Sequence, residues 1–163
     1  MKKKLMTLTQ FYNDSRVLLA QKKRGFGEGL WNGYGGKVQD GETLTQSALR
    51  EIEEEAGIKD ISIRQAGVLT ITFENKPDEA IEIHLFRCAP FEGEAVETEE
   101  MRPEWFSYDQ IPYDAMWPND PMWLREFLAG RDIQAEFLLD ATMKKVLKAE
   151  VRDWEGRAES EAV

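Results

Sequence analysis

The chain is poor in the residues that disulfide scaffolds, thiol catalysis and histidine catalysis require. It contains one cysteine and one histidine among 163 residues, so no disulfide framework can form within it. Cys88 lies in an apolar strand pattern, which is more typical of a buried, inert thiol than of a nucleophile. His84 also occupies a strand position, and we expect it to have a structural role.

Positive charge and long apolar runs are scarce as well. Lysine and arginine number 21 against 31 aspartate and glutamate residues, a formal net charge of −10, and such an acidic chain is poorly suited to a nucleic-acid polymer. No apolar run approaches the length that spans a bilayer, and the segment after the N-terminal lysines is too short and polar for a signal peptide. We therefore expect a cytoplasmic protein that binds neither nucleic-acid polymers nor membranes.

What is present is ordinary for one globular enzyme domain. The hydrophobic content is 42%, and the chain is long enough for a core. We predict one domain over residues 1–152 and a disordered tail over 153–163, where periodicity is lost. Mixed strands and helices favour an α/β sandwich. Strands are predicted over 5–12, 16–22, 61–73, 80–89, 104–108, 133–139 and 144–151, a turn over 75–78, and helices over 43–56 and 121–129.

The first predicted helix has clear boundaries. Thr43 and Gln46 have the spacing of a capping box, and Gly57 can end the helix in the left-handed conformation. At about 100° per residue, a narrow apolar stripe should pack on a sheet, while Glu53 points away. This stripe consists of Ala48, Leu49, Ile52 and Ala56.

Three glutamates of this helix, Glu51, Glu54 and Glu55, share one side. Carboxylates within one turn repel each other, and the C-terminal half of a helix disfavours negative charge. Such a cluster is costly unless a cation neutralises it, and ligation by oxygen atoms alone suits a hard ion. The residues therefore predict a Mg²⁺ site, with Mn²⁺ as an alternative.

The stretch 36–58 resembles the Nudix box, G-x5-E-x7-R-E-U-x-E-E-x-G-U, where U is a bulky aliphatic residue. Constrained positions at fixed spacing are far more specific than a lone glycine motif. The resemblance implies a Nudix fold, an α/β/α sandwich with a mixed central sheet. It also implies hydrolysis of a nucleoside diphosphate linked to another group. Every fixed position is matched, by Gly36, Glu42, Arg50, Glu51, Ile52, Glu54, Glu55, Gly57 and Ile58.

The same resemblance implies roles for individual residues. The three helix glutamates bind the metal together with the carbonyl of Gly35, and Glu100 completes the metal shell from a loop. Arg50 holds the helix against the preceding loop through a box carboxylate, for which Glu42 is the best candidate. A general base is also needed. Its candidates, which the sequence does not rank, are Glu51, Glu55 and Glu100.

Four further blocks resemble one Nudix subgroup, the MutT-like oxidised-purine nucleoside triphosphatases that cleave 8-oxo-dGTP and 2-hydroxy-dATP. The blocks read KKRGFG from Lys22, WNGYGGK from Trp31, EMRP from Glu100 and WPND from Trp117. The likeness runs over residues 5–151, nearly the whole chain. It implies a nucleoside monophosphate and pyrophosphate as products, a role in cleansing the nucleotide pool, and a monomer.

Base recognition is expected from polar side chains, since an amide presents a donor and an acceptor together to a purine edge. Trp117 should stack on the base, and Lys22 should meet a phosphate or the sugar. The predicted substrate-binding residues are Thr7, Lys22, Asn32, Trp117, Pro118, Asn119 and Asp120. Four apolar residues either line the pocket or belong to the core: Phe26, Ile71, Phe73 and Ile81. Four cations flank the glycine loop: Lys22, Lys23, Arg24 and Lys37.

One position departs from the subgroup, whose members usually carry two aspartates after the Trp-Pro pair. This chain has Asn119 before Asp120. Two adjacent carboxylates can share a proton and so face differently protonated purines, whereas an amide does not titrate. We therefore predict an intact purine pocket with an altered ranking among 8-oxo-dGTP, 2-hydroxy-dATP and alkylated purines.

Two other functions compete with this interpretation. The chain can be a general Nudix hydrolase that acts on ordinary dNTPs, dinucleotides or sugar nucleotides, because specificity depends on single substitutions. It can also be a non-catalytic Nudix module that senses a nucleotide. The complete set of box carboxylates argues against the second alternative.

Overall fold

The computed structural model describes residues 1–156, in which nine strands form a single sheet accompanied by two α-helices. No helix within these residues is long and apolar enough to cross a membrane. The strands are β1 Lys2–Tyr12, β2 Arg16–Lys22, β3 Trp31–Asn32, β4 Tyr34–Lys37, β5 Arg64–Phe73, β6 Lys76–Cys88, β7 Met101–Ser107, β8 Ile133–Leu139 and β9 Val146–Asp153; the helices are α1 Leu44–Ala56 and α2 Leu124–Leu128.

The sheet is mixed, as the sequence predicts. Its main strand order is β3-β2-β1-β6-β5-β8-β9, with β4 beside β1 and β7 beside β2. The pairs β1–β6 and β5–β8 are parallel, and the other pairs are antiparallel. Because β4 shares one edge of β1 with β2, the glycines of β4 lie over the middle of the fold, next to α1.

The two helices cover opposite faces of this sheet. Successive side chains of a strand point to opposite faces, and β1 ends with Phe11 and Tyr12. Phe11 belongs to a buried cluster with Ile52 of α1, whereas Tyr12 belongs to a larger cluster with Phe127 of α2. The order of layers is therefore helix, sheet, helix, which confirms the predicted α/β/α sandwich.

The capping pattern of α1 is confirmed. The backbone N–H of Gln46 donates to Oγ1 of Thr43 at 3.1 Å, and the backbone N–H of Thr43 donates to Oε1 of Gln46 at 2.9 Å. Gly57 ends the helix with a φ of 68°, a value that glycine adopts without a steric cost.

The predicted apolar stripe of α1 is wrong at one position. Leu49 is 37% exposed, while Leu44 and Ser47 are buried on the sheet side. The buried arc is centred near Ala48, and Leu49 lies about 100° away from this centre, at the margin of the arc.

Several predicted boundaries are also wrong. Phe73 pairs with Lys76, so the hairpin turns at residues 74 and 75, and the rest of the predicted turn over 75–78 belongs to β6. The strand predicted over 61–73 begins only at Arg64. The strand predicted over 104–108 begins at Met101, because β7 pairs with the full length of β2.

The C-terminal third shows two further differences. The helix predicted over 121–129 is a 3-10 turn at Asp120–Met122 followed by the short α2, because Trp123 has a non-helical φ of −138°. The strand predicted over 144–151 is β9, which runs to Asp153 and thus passes the predicted domain limit. The backbone N–H of Trp154 donates to the carbonyl of Asp132 at 3.0 Å. The rest of the predicted tail over 153–163, residues 157–163, lies outside the described residues.

Candidate active site

A cavity of about 420 Å³ lies where β1, β4, α1 and the segment 117–120 meet. Its wall includes most of the residues that the sequence proposes for the substrate. Pro118 is the exception, since it does not contribute to the wall. The predicted substrate residues that line the cavity are Thr7, Lys22, Asn32, Trp117, Asn119 and Asp120, and the apolar lining includes Phe26, Ile71, Phe73 and Ile81.

Two glycines of β4 allow close approaches on opposite sides, Gly36 to α1 and Gly35 to β1. A Cβ atom at Gly36 would lie 2.5 Å from Cδ of Glu51, and one at Gly35 would lie 1.8 Å from the carbonyl oxygen of Thr7. A side chain at Gly35 would collide with backbone, so this position requires glycine, and a side chain at Gly36 would displace the Glu51 carboxylate. The close approach places the carboxylate of Glu51 against β4, inside the cavity wall.

Arg50 connects the helix to the loop before it, as the resemblance implies. Its Nε donates to Oε2 of Glu42 at 2.6 Å, and Nη2 donates to Oε1 of the same carboxylate at 3.0 Å. These bonds lower the pKa of Glu42 to about 2. Arg50 also donates to Oε1 of Glu51 at 2.8 Å and to the carbonyl of Lys37 at 3.1 Å, contacts that the sequence does not reveal. A bidentate pair of this kind restricts the rotation of both side chains.

Glu55 is the most deeply placed of the box carboxylates. Burial raises its pKa to about 7, the negative charge of Glu51 adds to the effect, and the positive charge of Lys22 opposes it. The backbone N–H of Gly35 donates to the carboxylate, but Oε1 is buried and has no hydrogen-bond partner within residues 1–156. Burial also raises the pKa of Glu51. Glu51 and Glu55 thus form a buried pair of acceptors that a cation would stabilise.

Glu54 and Glu100 are not gathered with this pair. The side chain of Glu54 is 60% exposed and lies 3.4 Å from Nη1 of Arg50. Oε1 of Glu100 accepts a hydrogen bond from Nε of Arg24 at 2.7 Å. Within residues 1–156, no group of three or more His, Cys, Asp or Glu side chains is close enough to hold a metal ion. Of the predicted ligand set, Gly35, Glu51 and Glu55 line the cavity, whereas Glu54 and Glu100 do not.

The predicted cations divide in the same way. Lys22 and Lys37 line the cavity. Lys23 donates to Oε2 of Glu97 at 2.7 Å, and Arg24 is held by Glu100. Lys22 has no carboxylate within ion-pair distance among the first 156 residues and is available to a phosphate.

Asp120 is buried in the part of the cavity wall that the segment 117–120 forms. Its Oδ2 accepts from the backbone N–H of Trp117 at 3.1 Å, and its Oδ1 accepts from Nε1 of Trp123 at 3.2 Å. Burial raises the pKa of this carboxyl group to about 7 although both hydrogen bonds lower it. Asn119 beside it is only 5% exposed. Trp123 is a buried core residue, and its indole N–H also orients Asp120.

Trp117 is partly covered by the glycine-rich loop over 23–30. The ring of Phe26 stacks on it at 5.2 Å with an interplanar angle of 27°. A Cβ atom at Gly27 would lie 3.3 Å from the indole. Phe26 remains 66% exposed. The aromatic pair therefore borders the cavity next to Asn119 and Asp120.

Comparison with known proteins assigns the family. The model of the NUDIX domain matches residues 6–127. The chain belongs to the Nudix family. It is 43% identical over 148 residues to the oxidized purine nucleoside triphosphate hydrolase of Danio rerio, covering 84% of this chain and 94% of that protein. It is 45% identical over 134 residues to the protein of the same name from Mus musculus, covering 82% and 85%.

Solved structures confirm the Nudix fold. A MutT protein from Bacillus halodurans superposes with a TM-score of 0.75 at 23% identity, covering 91% of this chain and 97% of that chain. Nudix hydrolases generally use a divalent metal such as Mg²⁺. The site fits this requirement, because Glu51 and Glu55 offer buried carboxylate oxygens and one of these oxygens lacks any hydrogen-bond partner within residues 1–156.

Sequence reasoning missed several residues of this Nudix cavity. Two of them follow the period of a strand: Met6 lies one step from Leu8 on the same face of β1, and Ile83 follows Ile81 on β6. The alternation along these strands could have identified them. Leu139 and Met143 reach the cavity from β8 and the hairpin after it, and no local pattern indicates this contact. The missed lining residues are Lys4, Met6, Leu8, Ala20, Gly27, Leu30, Leu69, Ile83, Met101, Leu139 and Met143.

Cys88 and His84 lie outside the cavity wall, as expected from the sequence. The thiol of Cys88 is free and buried, and burial raises its pKa. Nδ1 of His84 lies 2.9 Å from Nε2 of Gln65, and its Nε2 lies 2.9 Å from Oε1 of Glu82. Burial lowers the pKa of His84, so the neutral ring joins Gln65 of β5 to Glu82 of β6 in a structural network.

Proposed function

We propose that this Nudix chain is a Mg²⁺-dependent hydrolase of oxidised purine nucleoside triphosphates such as 8-oxo-dGTP and 2-hydroxy-dATP. The products are the nucleoside monophosphate and pyrophosphate, and the biological role is to cleanse the nucleotide pool. One observation carries the proposal: a single cavity contains both the box carboxylates, Glu51 and Glu55, and the buried polar pair Asn119 and Asp120. The names of the relatives in Danio rerio and Mus musculus support the same substrate class.

The phosphate half of the reaction depends on α1 and its surroundings. Bound Mg²⁺ neutralises phosphate oxygens and lowers the pKa of a water molecule. Glu51 and Glu55 hold the ion together with the carbonyl of Gly35, while Arg50 fixes the orientation of Glu51. Glu54 and Glu100 remain in the proposed ligand set, and Glu100 must leave Arg24 to join it.

Glu55 is the general base that we favour. Glu51 already accepts from Arg50, and Glu100 already accepts from Arg24. Glu55 keeps a buried oxygen without a partner within residues 1–156, so it can accept the proton of the attacking water. Lys22 faces the same cavity and holds a phosphate oxygen through its ammonium group.

The purine half of the reaction depends on the segment 117–120. Trp117 provides an aromatic face, Asn119 a fixed donor and acceptor, and Asp120 a carboxyl group that changes protonation near neutral pH. Asn32 and Thr7 complete the polar wall. The assignment of these residues to the base predicts discrimination among modified purines rather than among sugars or phosphates.

A pyrophosphate-release assay tests the proposal. Turnover is compared at low substrate concentration, with and without Mg²⁺, for 8-oxo-dGTP, 2-hydroxy-dATP, O6-methyl-dGTP and the unmodified dNTPs. A preference for a modified purine establishes the cleansing role. Equal turnover across the panel rejects it in favour of a general Nudix hydrolase, and release of no pyrophosphate directs the search to other diphosphate substrates or to a sensor.

A further inference from the structure

The hydroxyl group of Tyr34 is buried without a partner beside the proposed metal site. Tyr34 is fully buried in β4, and its ring packs edge-on against Phe11 at a centroid distance of 5.9 Å. Its Oη has no hydrogen-bond partner within residues 1–156. Leaving a buried hydroxyl unpaired is costly. If only the ring were needed, phenylalanine at this position would be more stable than tyrosine. The hydroxyl therefore calls for a function.

The register of β4 against α1 places this side chain next to Glu55. Gly36 lies directly against Glu51, and Tyr34 points to the same face of β4 as Gly36. The step from Gly36 to Tyr34 is about 6.8 Å along a strand, and the step from Glu51 to Glu55 is about 6 Å along a helix. The backbone of Gly35, the residue between Tyr34 and Gly36, is hydrogen-bonded to the Glu55 carboxylate. Tyr34 therefore lies beside Glu55, as Gly36 lies beside Glu51.

Electrostatics agrees with this placement. Burial is the main cause of the raised pKa of Tyr34, and the negative charge of Glu55 is the second cause. The phenol therefore stays protonated and remains a donor at neutral pH. Oε1 of Glu55 is a buried acceptor that also lacks a partner in the described part of the chain. A donor and an acceptor, each unpaired, face the same small region.

Glu55 differs from Glu51 in having no side chain that orients it. Glu51 is held by Arg50 at 2.8 Å, whereas Glu55 is contacted by one backbone N–H. We propose that Tyr34 is the positioning residue of Glu55, and that its hydroxyl donates to Oε1 directly or through one buried water. A carboxylate accepts about four hydrogen bonds or ligands, so a cation, the phenol and the proton of the attacking water can share it. The proposal rests on the proposed function, in which Glu55 binds the metal.

Tyr34→Phe tests this proposal, because phenylalanine keeps the ring and removes only the hydroxyl group. We expect the dissociation constant of Mn²⁺, measured by calorimetry on the nucleotide-free protein, to rise about tenfold and kcat to fall about tenfold. KM for the nucleotide and the melting temperature should stay unchanged. Tyr113→Phe is the matched control, since the Tyr113 hydroxyl is also buried and unpaired in the described residues but its ring packs against Arg125, 5.0 Å from the guanidinium carbon.

The outcomes distinguish a failure of the Tyr34 proposal from a failure of the metal assignment of Glu55. If Mn²⁺ affinity and kcat of Tyr34→Phe stay within about twofold of the parent, or if Tyr113→Phe changes them equally, Tyr34 has no positioning role. Glu55→Gln is measured in parallel. If it leaves Mn²⁺ affinity intact, the metal assignment of Glu55 fails, and the Tyr34 proposal falls with it. If Glu55→Gln loses Mn²⁺ and Tyr34→Phe does not, only the Tyr34 proposal is wrong.

Discussion

The two halves of the cavity are built in different ways. The phosphate half is contained in one stretch, 36–58, in which Arg50, Glu51 and Glu55 are positioned by a single capped helix and the glycines before it. The purine half collects residues from strands and loops that are far apart in sequence, from Thr7 to Met143. The geometry of a site within one helix can be predicted from residue spacing, whereas the geometry of a site built from distant segments depends on the topology of the sheet.

The halves also differ in how their charges are managed. In the phosphate half, Arg50 binds the carboxylates of Glu42 and Glu51, while one oxygen of Glu55 has no partner among the described residues. This half therefore needs a cation to neutralise its negative charge. The purine half pairs its carboxyl group, Asp120, with two N–H donors and places a neutral amide beside it. We therefore expect substitutions in the phosphate half to reduce turnover of every substrate, and substitutions in the purine half to change which substrate is preferred.

Glu55→Gln should have the largest effect. The amide cannot accept a proton or neutralise a cation, so kcat should fall on the order of 10³-fold for every nucleotide tested. The fold should persist, and with a chelator present the melting temperature at pH 8 should not decrease, because the parent buries a carboxyl group whose pKa is raised. Steady-state kinetics and thermal unfolding measure both. Surviving turnover would mean that Glu55 is neither a metal ligand nor the base.

Arg50→Ala should have the next largest effect. It removes the bonds to Glu42 and Glu51 together, so Glu51 loses its orientation, and kcat/KM should fall about 10- to 100-fold. Arg50→Lys should not restore activity, because an ammonium group cannot reproduce the bidentate contact. Arg152→Ala is the control, since Arg152 makes only exposed ion pairs and contributes little. Equal kinetics for Arg50→Ala and the control would exclude the positioning role.

Asn119→Asp should change preference rather than turnover. It restores two adjacent carboxyl groups, which can share a proton and face other purine edges. We expect the ratio of kcat/KM between 8-oxo-dGTP and 2-hydroxy-dATP to change about tenfold. Asn75→Asp, at the exposed turn between β5 and β6, introduces the same charge away from the cavity. An unchanged ranking after Asn119→Asp, or an equal shift after Asn75→Asp, would contradict the role of Asn119.

The contrast between the halves explains which contacts of the site could be predicted from the sequence and which could not. Within 36–58, contacts span at most a few turns, so the caps at Thr43 and Gly57 could be predicted from spacing, and the resemblance implied the pair Arg50–Glu42. Glu100 is held by Arg24 across 76 positions of sequence. No periodic pattern indicates such a pair, because it arises when β7 aligns with β2.

The purine half shows the opposite case. Asp120 and Trp117 could be proposed from a short block, and both line the cavity, whereas Pro118 of the same block does not. Leu139 and Met143 arrive through the parallel pairing of β5 with β8, which depends on the whole sheet. The monomeric state and the cellular compartment stay predictions.

The last prediction, for Asp120→Asn, concerns the stability of the protein rather than its turnover. The pKa of Asp120 is raised from 3.8 to about 7, so the folded protein retains a proton that the unfolded chain releases. The free energy of unfolding should therefore decrease as the pH rises from about 4 to about 7, by on the order of 1 kcal/mol per pH unit from this group. The contribution is complete below the unfolded pKa, and no further loss from this group follows above about pH 7.

Asp120→Asn lacks the titrating proton while its amide oxygen can still accept from Trp117 and Trp123. Urea unfolding between pH 5 and 8, with a chelator present, should show the parent losing stability relative to the variant. Parallel curves would mean that Asp120 is already ionised in the folded protein, and that the purine half, like the phosphate half, faces its substrate with a full negative charge.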